Sequence, residues 1–325
     1  MTEPTIEQIG FLLVPQFSML SFTSALEPLR VANRVAERDL YNWNFYSIDD
    51  QPVEASNGIA IAPTQTIKDV EGLGLMIVVA GIGASEISNP QLYAWLRRLY
   101  RNRVMIGATS TGSLLLARAG LLKKHRCTIH WENRDSLEEE FPQLDVTGEL
   151  YEVDQNIMTC SGGLAGLDMM LHKISLEYGE ALAMDIAEQL IHPKIRPAHE
   201  KQRMELLLRH KTRHPRLLKA IQLMQTYTEN VLSCQEIGKQ SGLSVRQLER
   251  LFKHQLHTTP AAFYMQRRLE RGNHLLEQST LTVTQVATAC GFNSASYFSK
   301  CYQKQYKLSP REERGKTLQP ASQPS

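Results

Sequence analysis

Three short polar segments follow apolar, strand-like runs in the first half of the chain. Residues 109–113 (Thr-Ser-Thr-Gly-Ser) come directly after the apolar run 104–108 and before a helix-prone stretch. A sharp strand-to-helix turn displays its central residue, here Ser110, beside the free N–H groups at the start of the helix. Residues 128–132 (Thr-Ile-His-Trp-Glu) and 161–163 (Ser-Gly-Gly) are the other two segments. The sequence therefore predicts a site for binding or catalysis around Ser110.

The elements that must position these segments alternate between strand and helix. A parallel sheet with helices on both faces is the fold that such alternation predicts, and its ligands bind at the carboxyl ends of the strands. The predicted strands are 6–14, 43–48, 73–80 and 104–108, with two short strands in 149–160 around a turn at 154–156; the predicted helices are 21–36, 92–100, 113–119 and at least one within 165–191.

The two halves of the chain carry opposite charge although the whole chain has a net charge of only +2. Residues 194–325 hold 22 Lys and Arg against 9 Asp and Glu, a net charge of +13, which leaves −11 for residues 1–193. A strongly basic domain is typical of proteins that bind the phosphate backbone of nucleic acid, and an acidic domain needs a different partner.

An internal repeat of the form helix, glycine turn, helix occupies residues 215–310. Ser241-Gly242-Leu243-Ser244 in the first copy matches Cys290-Gly291-Phe292-Asn293 in the second, and each copy ends on Ser or Thr followed by Pro. The spacing predicts capping boxes, Ser244 with Gln247 and Thr282 with Gln285. Two helix-turn-helix motifs joined by one continuous helix, 260–278, predict an all-α DNA-binding domain.

Residues of the second helix in each motif that lie off its apolar stripe, most of them polar, are the predicted contacts to DNA. The twelve candidates are Ser244, Arg246, Gln247, Glu249, Arg250, Lys253, Ser294, Ala295, Ser296, Tyr297, Ser299 and Lys300. Arg267, Arg268 and Arg271 on the connecting helix are candidates either for phosphate contacts or for internal salt bridges, and the sequence does not separate the two roles.

The change in charge along the chain and the positions of its prolines predict the domain limits. We expect a sensing and dimerisation domain in 1–192, a linker in 193–214, the DNA-binding domain in 215–314 and a disordered tail in 315–325. Apolar runs are too short for a membrane span, and the acidic start is unlike a secretory signal, so a cytoplasmic protein is expected. Five scattered cysteines without a CxxC pair predict buried thiols, with no disulfide, metal or other cofactor.

The order SALEPLR, GATSTGS, TIHWENRD and TCSGGLAGLDMMLH resembles the ThiJ/PfpI branch of the class I glutamine amidotransferase-like superfamily, which implies a flavodoxin-like domain. In enzymes of that superfamily the turn carries a cysteine nucleophile, a histidine follows, and the first helix offers a glutamate; by position these are Ser110, His130 and Glu27. Serine in place of cysteine leaves three interpretations open: a Ser110–His130 hydrolase, a pocket that binds without turnover, and a plain turn residue.

Residues 215–314 resemble the AraC/XylS DNA-binding domain, most closely at GFNSASYFSKCYQKQYKLSP. Lys307 departs from that pattern, which often has glycine there. The two resemblances together imply a regulator similar to the glycine-betaine-responsive ones. The ligand-binding residues so implied are Glu27, Ser110, Thr111, His130, Trp131 and Glu132, with Trp43, Phe17 and Phe22 helping Trp131 to enclose a trimethylammonium group by cation–π attraction.

The sequence thus predicts a transcriptional regulator, most simply an activator, that binds double-stranded promoter DNA and responds to an amino-acid-like or quaternary-amine metabolite such as glycine betaine or carnitine. RNA polymerase and a second copy of the chain are the expected protein partners, and no membrane association is expected. The alternatives are a Ser110–His130 amidase or esterase tethered to a DNA-binding domain, and an architectural DNA-binding protein whose N-terminal domain is inert.

Overall fold

The computed structural model describes residues 6–65, 67, 70, 72–202, 212 and 214–317. The chain divides into two compact units, residues 1–202 and 203–325. No helix in the described part of the chain is long and apolar enough to cross a membrane.

The first unit is built on a six-stranded sheet in which five strands are parallel. The strand order is β2-β1-β5-β6-β10-β9, and β9 at the edge is antiparallel to β10. Two small two-stranded sheets, β3 with β4 and β7 with β8, lie outside it. The strands are β1 Glu7–Leu13, β2 Tyr41–Tyr46, β3 Val53–Glu54, β4 Ala60–Ile61, β5 Leu73–Val79, β6 Met105–Thr109, β7 Arg126–Thr128, β8 Asp145–Thr147, β9 Tyr151–Asp154 and β10 Ile157–Cys160.

Helices cover both faces of this sheet. They are α1 Met19–Val35, α2 Pro90–Arg101, α3 Gly112–Arg118, α4 Arg134–Glu140, α5 Ala165–Tyr178 and α6 Glu180–Gln189. One apolar core contains residues of α1, α5 and α6 and another contains residues of α2 and α3, so the central strands are buried on both sides. Such burial explains why β1 and β5 are almost uninterrupted apolar runs.

The predicted helical stretch 165–191 contains two helices rather than one. Gly179, with φ of 96°, separates α5 from α6 in a backbone conformation that side chains rarely adopt. The short strands β7 and β8 and the helix α4 were not predicted from the sequence.

Residues 193–202, which the sequence assigned to a linker, instead pack on the first unit. Ile195 and Ala198 lie against its core, and the N–H of Leu150 donates to the carbonyl of Ala198 at 2.8 Å. In this structure the stretch is an ordered part of the first unit, because its apolar side chains and its backbone both have partners there. Residues 203–211 and 213 lie outside the described residues.

The second unit contains seven helices within its described residues. They are α7 Pro215–Thr226, α8 Cys234–Ser241, α9 Val245–Leu256, α10 Pro260–Gln278, α11 Val283–Ala289, α12 Ala295–Tyr306 and α13 Pro310–Thr317. Two separate apolar cores hold it together: α7, α8 and α9 pack around Ile237, Leu248 and Phe252, and α10, α11 and α12 pack around Val286 and Phe298.

Local chemistry fixes both helix-turn-helix motifs as predicted. The side chains of Ser244 and Gln247 cap each other's backbone N–H groups, and Thr282 and Gln285 repeat the arrangement. Gly242 and Gly291 both have φ of 71°, the left-handed conformation in which glycine is favoured. The predicted disordered tail begins too early, since α13 continues to Thr317; residues 318–325 lie outside the described residues.

Candidate functional site

The turn between β6 and α3 holds Ser110 in the left-handed region, with φ of 57°. Its N–H donates to the carbonyl of Cys160 at 3.0 Å, so the turn is tied to the end of the neighbouring strand β10. A Cβ atom on Gly162 would lie only 2.7 Å from the Cβ atom of Ser110. The 161–163 loop therefore closes over the turn, and Ser110 is 8% exposed.

The segment after β7 forms the facing wall of this site. Ser113 donates its hydroxyl proton to the carbonyl of Thr128 at 2.6 Å, and the N–H of Thr128 donates to the hydroxyl of Thr159 at 2.9 Å. The N–H of His130 then donates to the carbonyl of Ser110 at 3.3 Å. Residues far apart in sequence, 110, 130 and 161–163, are thus brought together as the alternating pattern predicted.

His130 lies at the rim of the site with two of its sequence neighbours. Its ring centroid is 5.5 Å from that of Trp131, and its Nδ1 is 3.7 Å from a carboxylate oxygen of Glu132. Burial lowers the pKa of His130, and the Glu132 carboxylate partly opposes that shift. The neutral imidazole is therefore favoured in the folded chain.

A serine nucleophile needs a base that accepts its hydroxyl proton through a hydrogen bond. Among the described residues no hydrogen bond joins the His130 ring to the Ser110 hydroxyl; the two residues are linked through their backbones alone. Cys160 is the nearest thiol along the adjoining strand, and burial raises its pKa to about 12. At neutral pH that thiol is protonated and does not replace the missing cysteine nucleophile.

Glu27 and Thr111 have partners other than a ligand. The carboxylate of Glu27 pairs with Arg30 of its own helix at 2.6 Å and makes no hydrogen bond to Ser110 in the part of the chain that is described. Thr111 is 5% exposed and donates its hydroxyl proton to the carbonyl of Gly81 at 2.5 Å. In this conformation Glu27 is paired with Arg30 and Thr111 with Gly81, and their predicted roles in ligand binding stay predictions.

Two of the three rings expected beside Trp131 are buried in the core. Phe17 and Phe22 are 0% and 3% exposed and pack on each other with centroids 5.8 Å apart, inside the core beneath α1. Trp43 packs against that same core from β2. The Phe17 and Phe22 rings are therefore enclosed in the hydrophobic core, where a ligand cation does not reach them.

Two serines of α1 border the site and were not predicted. The N–H of Gly163 donates to the hydroxyl of Ser21 at 2.8 Å, and Ser24 donates its hydroxyl proton to the carbonyl of Gly163 at 2.6 Å. These bonds fix the 161–163 loop against α1. Their spacing of three residues on one helix face, opposite a Ser-Gly-Gly segment, was the available sequence signal.

The first candidate DNA-reading helix, α9, presents a polar surface opposite its buried residues Leu248 and Phe252. Arg246, Glu249, Arg250 and Lys253 are exposed. Ser244 and Gln247 are exposed too, but their side chains are engaged with each other's backbone N–H groups in the capping box. Arg250 makes no hydrogen bond or ion pair with any of the described residues, so its guanidinium is available to a partner.

The second candidate helix, α12, has a smaller polar surface. Ser294 caps the helix by accepting from the N–H of Tyr297, whose side chain is 53% exposed. Ser296 and Lys300 are exposed, whereas Ala295 and Ser299 are half-buried. The surface of α12 therefore carries fewer charged side chains than that of α9, in agreement with the sequence prediction.

The arginines of the connecting helix α10 make internal contacts, which decides between the two roles left open. Arg268 donates to the carbonyls of Cys290 and Gly291 at 2.8 and 2.7 Å and lies 4.2 Å from the centre of the Phe292 ring. Arg271 donates to the carbonyl of Ala289 at 2.8 Å, and Arg267 pairs with Glu270. Arg268 and Arg271 therefore cap the carbonyl end of α11, where the helix leaves acceptors unpaired.

The internal repeat is longer than the two motifs alone. Arg216 in α7 donates to the carbonyl of Gly242 at 3.1 Å, just as Arg268 does to the second glycine turn. Arg216 and Arg268 are 52 positions apart, as are the buried Leu217 and Leu269. Each repeat is thus three helices, and an open groove of about 340 Å³ in the first and about 890 Å³ in the second lies beside this arginine and the start of the reading helix.

Comparison with protein-family models identifies both units. Residues 8–176 match the DJ-1/PfpI family, and residues 237–316 match a helix-turn-helix domain. The predicted fold class, a doubly wound α/β domain followed by an all-α domain with two helix-turn-helix motifs, is confirmed.

Comparison with individual proteins agrees with the match to these two families. The chain is 42% identical over 308 residues to the HTH-type transcriptional regulator CdhR of Pseudomonas aeruginosa, covering 95% of this chain and 91% of that relative. A crystal structure of an AraC family transcriptional regulator from Pseudomonas putida matches with a TM-score of 0.52 and 28% identity, covering 57% of this chain and 99% of that structure. An isonitrile hydratase of Pseudomonas putida is 32% identical over 167 residues, covering 50% of this chain and 69% of the hydratase.

Proposed function

The chain belongs to the AraC-family transcriptional regulators that carry an N-terminal DJ-1/PfpI domain, and we propose that this domain senses an amino-acid-like or quaternary-amine metabolite such as glycine betaine or carnitine. The chain is a DNA-binding regulator. The observation that carries the effector proposal is the pair of rings, His130 and Trp131, beside the Glu132 carboxylate at the rim of the Ser110 turn.

A quaternary ammonium group is attracted to the face of an aromatic ring and to a nearby carboxylate. Because burial lowers the pKa of His130, the imidazole stays neutral near pH 7 and does not repel a cation. The hydroxyls of Ser110 and Ser161 border the same site and suit a ligand carboxylate as hydrogen-bond donors. A zwitterion with both groups matches these two chemistries at once.

We propose further that the site binds its ligand without turning it over. The His130 ring has no hydrogen bond to the Ser110 hydroxyl, and its Nδ1 faces Glu132 instead. Ser110 thereby lacks the activated state that a hydrolase needs. An amidase or esterase assay on the full chain tests this: no turnover is expected, and hydrolysis abolished by Ser110→Ala would establish the enzyme instead.

Calorimetry with glycine betaine, carnitine, sarcosine and arginine tests the effector. Trp131→Ala is expected to weaken binding of the quaternary amine by about 2- to 30-fold, the equivalent of about 0.5–2 kcal/mol of cation–π attraction. Trp43→Phe is the control because Trp43 packs against the core of the first unit from β2. Absence of binding heat in the wild type, or equal affinity in Trp131→Ala, contradicts the proposal.

The exposed polar residues of α9 and α12 are the proposed base and phosphate contacts. Arg246, Arg250 and Lys253 supply the charge on α9, and Tyr297 and Lys300 supply the most prominent side chains on α12. Ser244, Gln247 and Ser294 act chiefly as helix caps that orient these contacts. Glu249, Ser296, Ala295 and Ser299 complete the predicted contact surface.

The chain is further proposed to act as a homodimeric activator that contacts RNA polymerase. Support for self-association comes from α5 and α6, which expose Leu176 and Met184 at 70% and 56%. Large exposed apolar side chains on neighbouring helices are typical of interaction surfaces. Sedimentation of the full chain is expected to give a dimer, and Leu176→Lys with Met184→Lys is expected to give a monomer.

A further inference from the structure

The segment that follows α6, residues 192–202, precedes the DNA-binding unit in the chain. Backbone pairing and two groups of side-chain hydrogen bonds, which we call its two fastenings, hold it to the first unit. We call residues 192–202 the exit segment. Its middle is paired with the chain beside β9, through the bond from Leu150 N–H to the Ala198 carbonyl and a backbone bridge between Glu149 and Lys201. The exit segment is therefore an ordered part of the α/β unit, and two side-chain contacts connect it to the elements around the Ser110 turn.

The first fastening is Asp168, in the first turn of α5. Its side chain is fully buried and accepts from the ring Nε2 of His192 at 2.9 Å and from the backbone N–H of Arg196 at 2.8 Å. The guanidinium of Arg196 adds two bonds at 2.9 and 2.7 Å. A buried carboxylate with this many donors holds the exit segment firmly to α5.

The second fastening is Gln202, at the end of the exit segment. Its amide nitrogen lies 2.9 Å from the hydroxyl of Thr128, 3.1 Å from the carbonyl of Ile129 and 2.8 Å from the carbonyl of Glu149. Ile129 is the residue directly before His130. The side chain of Gln202 thus joins the exit segment to the wall of the proposed effector site.

Both fastenings lead back to the Ser110 turn. α5 begins directly after the 161–163 loop, whose Gly162 is in contact with Ser110. The Ile129 carbonyl belongs to the same peptide group as the His130 N–H that donates to the carbonyl of Ser110. The bonds that hold the exit segment are therefore made by the same two walls that border the Ser110 turn.

We propose that the exit segment carries the state of the Ser110 site to the DNA-binding unit, with Gln202 as the positioning residue that links it to the His130 wall. The inference rests on the proposed sensing site but not on the identity of its ligand. Coupling between two sites is reciprocal, so DNA binding must alter the Ser110 site if the ligand alters DNA binding. DNA can therefore serve as the probe.

Hydrogen exchange of the full chain, with and without a double-stranded fragment that the wild type enriches from a random library, tests this. Peptides within residues 126–133 are expected to change their exchange rate on DNA binding, by about 5-fold or more. In Gln202→Met, which keeps the length of the side chain but removes the donor, this DNA-dependent change is expected to disappear while the affinity for the fragment stays within about 3-fold.

The matched control is Lys194→Ala, which removes an exposed ion pair with Glu200 in the same segment and is expected to behave as the wild type. Gln202→Ser, polar but too short to reach Ile129, replaces Gln202→Met if the latter folds poorly. A DNA-dependent change that persists in the Gln202 variants, or is absent from the wild type, overturns the proposal. Failure of glycine betaine to bind leaves the result unaffected, because no metabolite is used.

Discussion

Replacement of Arg268 by alanine removes an internal fastening of the second helix-turn-helix motif rather than a contact to DNA. The guanidinium bonds the carbonyls of Cys290 and Gly291 at the turn and lies over the ring of Phe292. Burial lowers the pKa of Arg268, which nevertheless remains a cation at neutral pH. Alanine therefore leaves two helix-end carbonyls without their donor and one aromatic face uncovered.

The size of the effect follows from these contacts. Hydrogen bonds to a charged donor contribute about 1.5–3 kcal/mol each, and the ring contact about 0.5–2 kcal/mol. Water from the open groove beside Tyr297 can reach the freed carbonyls and offsets part of the loss. We expect the free energy of unfolding of α11 and α12 to fall by about 2–4 kcal/mol, and by about half as much in Arg268→Lys.

Pulsed hydrogen exchange during urea unfolding measures this locally, at peptides within residues 283–306. Arg250→Ala is the matched control because Arg250 is exposed and makes no hydrogen bond or ion pair with the described residues. It is expected to change stability by less than about 0.5 kcal/mol and to cost about 1–3 kcal/mol of base discrimination. Unchanged protection in Arg268→Ala, together with a loss of DNA affinity like that of Arg250→Ala, would refute the internal role.

Three further changes have defined outcomes. Gly162→Ala forces a Cβ atom against Ser110 at φ of 87° and is expected to lower the free energy of unfolding by about 2–4 kcal/mol. Gly163→Ala, with open space around it, is the control and is expected to cost about 1 kcal/mol; thermal unfolding of both variants measures the difference. Lys307→Gly relieves a left-handed side chain at φ of 65° and is expected to raise the unfolding free energy by about 0.5–1 kcal/mol; a decrease contradicts this. Burial lowers the pKa of His130, so its contribution to stability is present above about pH 6.5 and is lost as the pH falls towards the folded-state pKa. The midpoint of urea unfolding should therefore fall as the pH falls over that interval, and this dependence should be weaker in His130→Gln. The same dependence on pH in His130→Gln and in the wild type would argue against it.

The sequence predicts most of the fold because its patterns are strong where burial is complete. β1 and β5 are apolar runs with ends close to those predicted, and both glycine turns follow from Gly242 and Gly291. The three-residue strands β7 and β8 escape prediction since they are too short to show a period.

The site is harder to predict because side-chain direction depends on contacts distant in sequence. The backbone of His130 lies beside Ser110 because both residues follow strands, β7 and β6, of adjoining sheets, but the direction of the His130 ring could not be predicted. Glu27 turns to Arg30, and Phe17 faces the core, because neither residue type reveals which neighbour it will meet. Arg268 is the same case: charge alone does not separate a phosphate contact from a helix cap.

Anisotropy of labelled upstream genomic DNA with the full chain, at physiological salt, tests the central claim that a metabolite at the Ser110 site controls DNA binding. Glycine betaine, carnitine, sarcosine and arginine are added in turn, to the wild type and to Trp131→Ala. One quaternary amine is expected to change the Kd of the wild type for a tightly bound DNA fragment by about 5- to 150-fold, and Trp131→Ala is expected to reduce that change. Tight binding that no metabolite alters would contradict it.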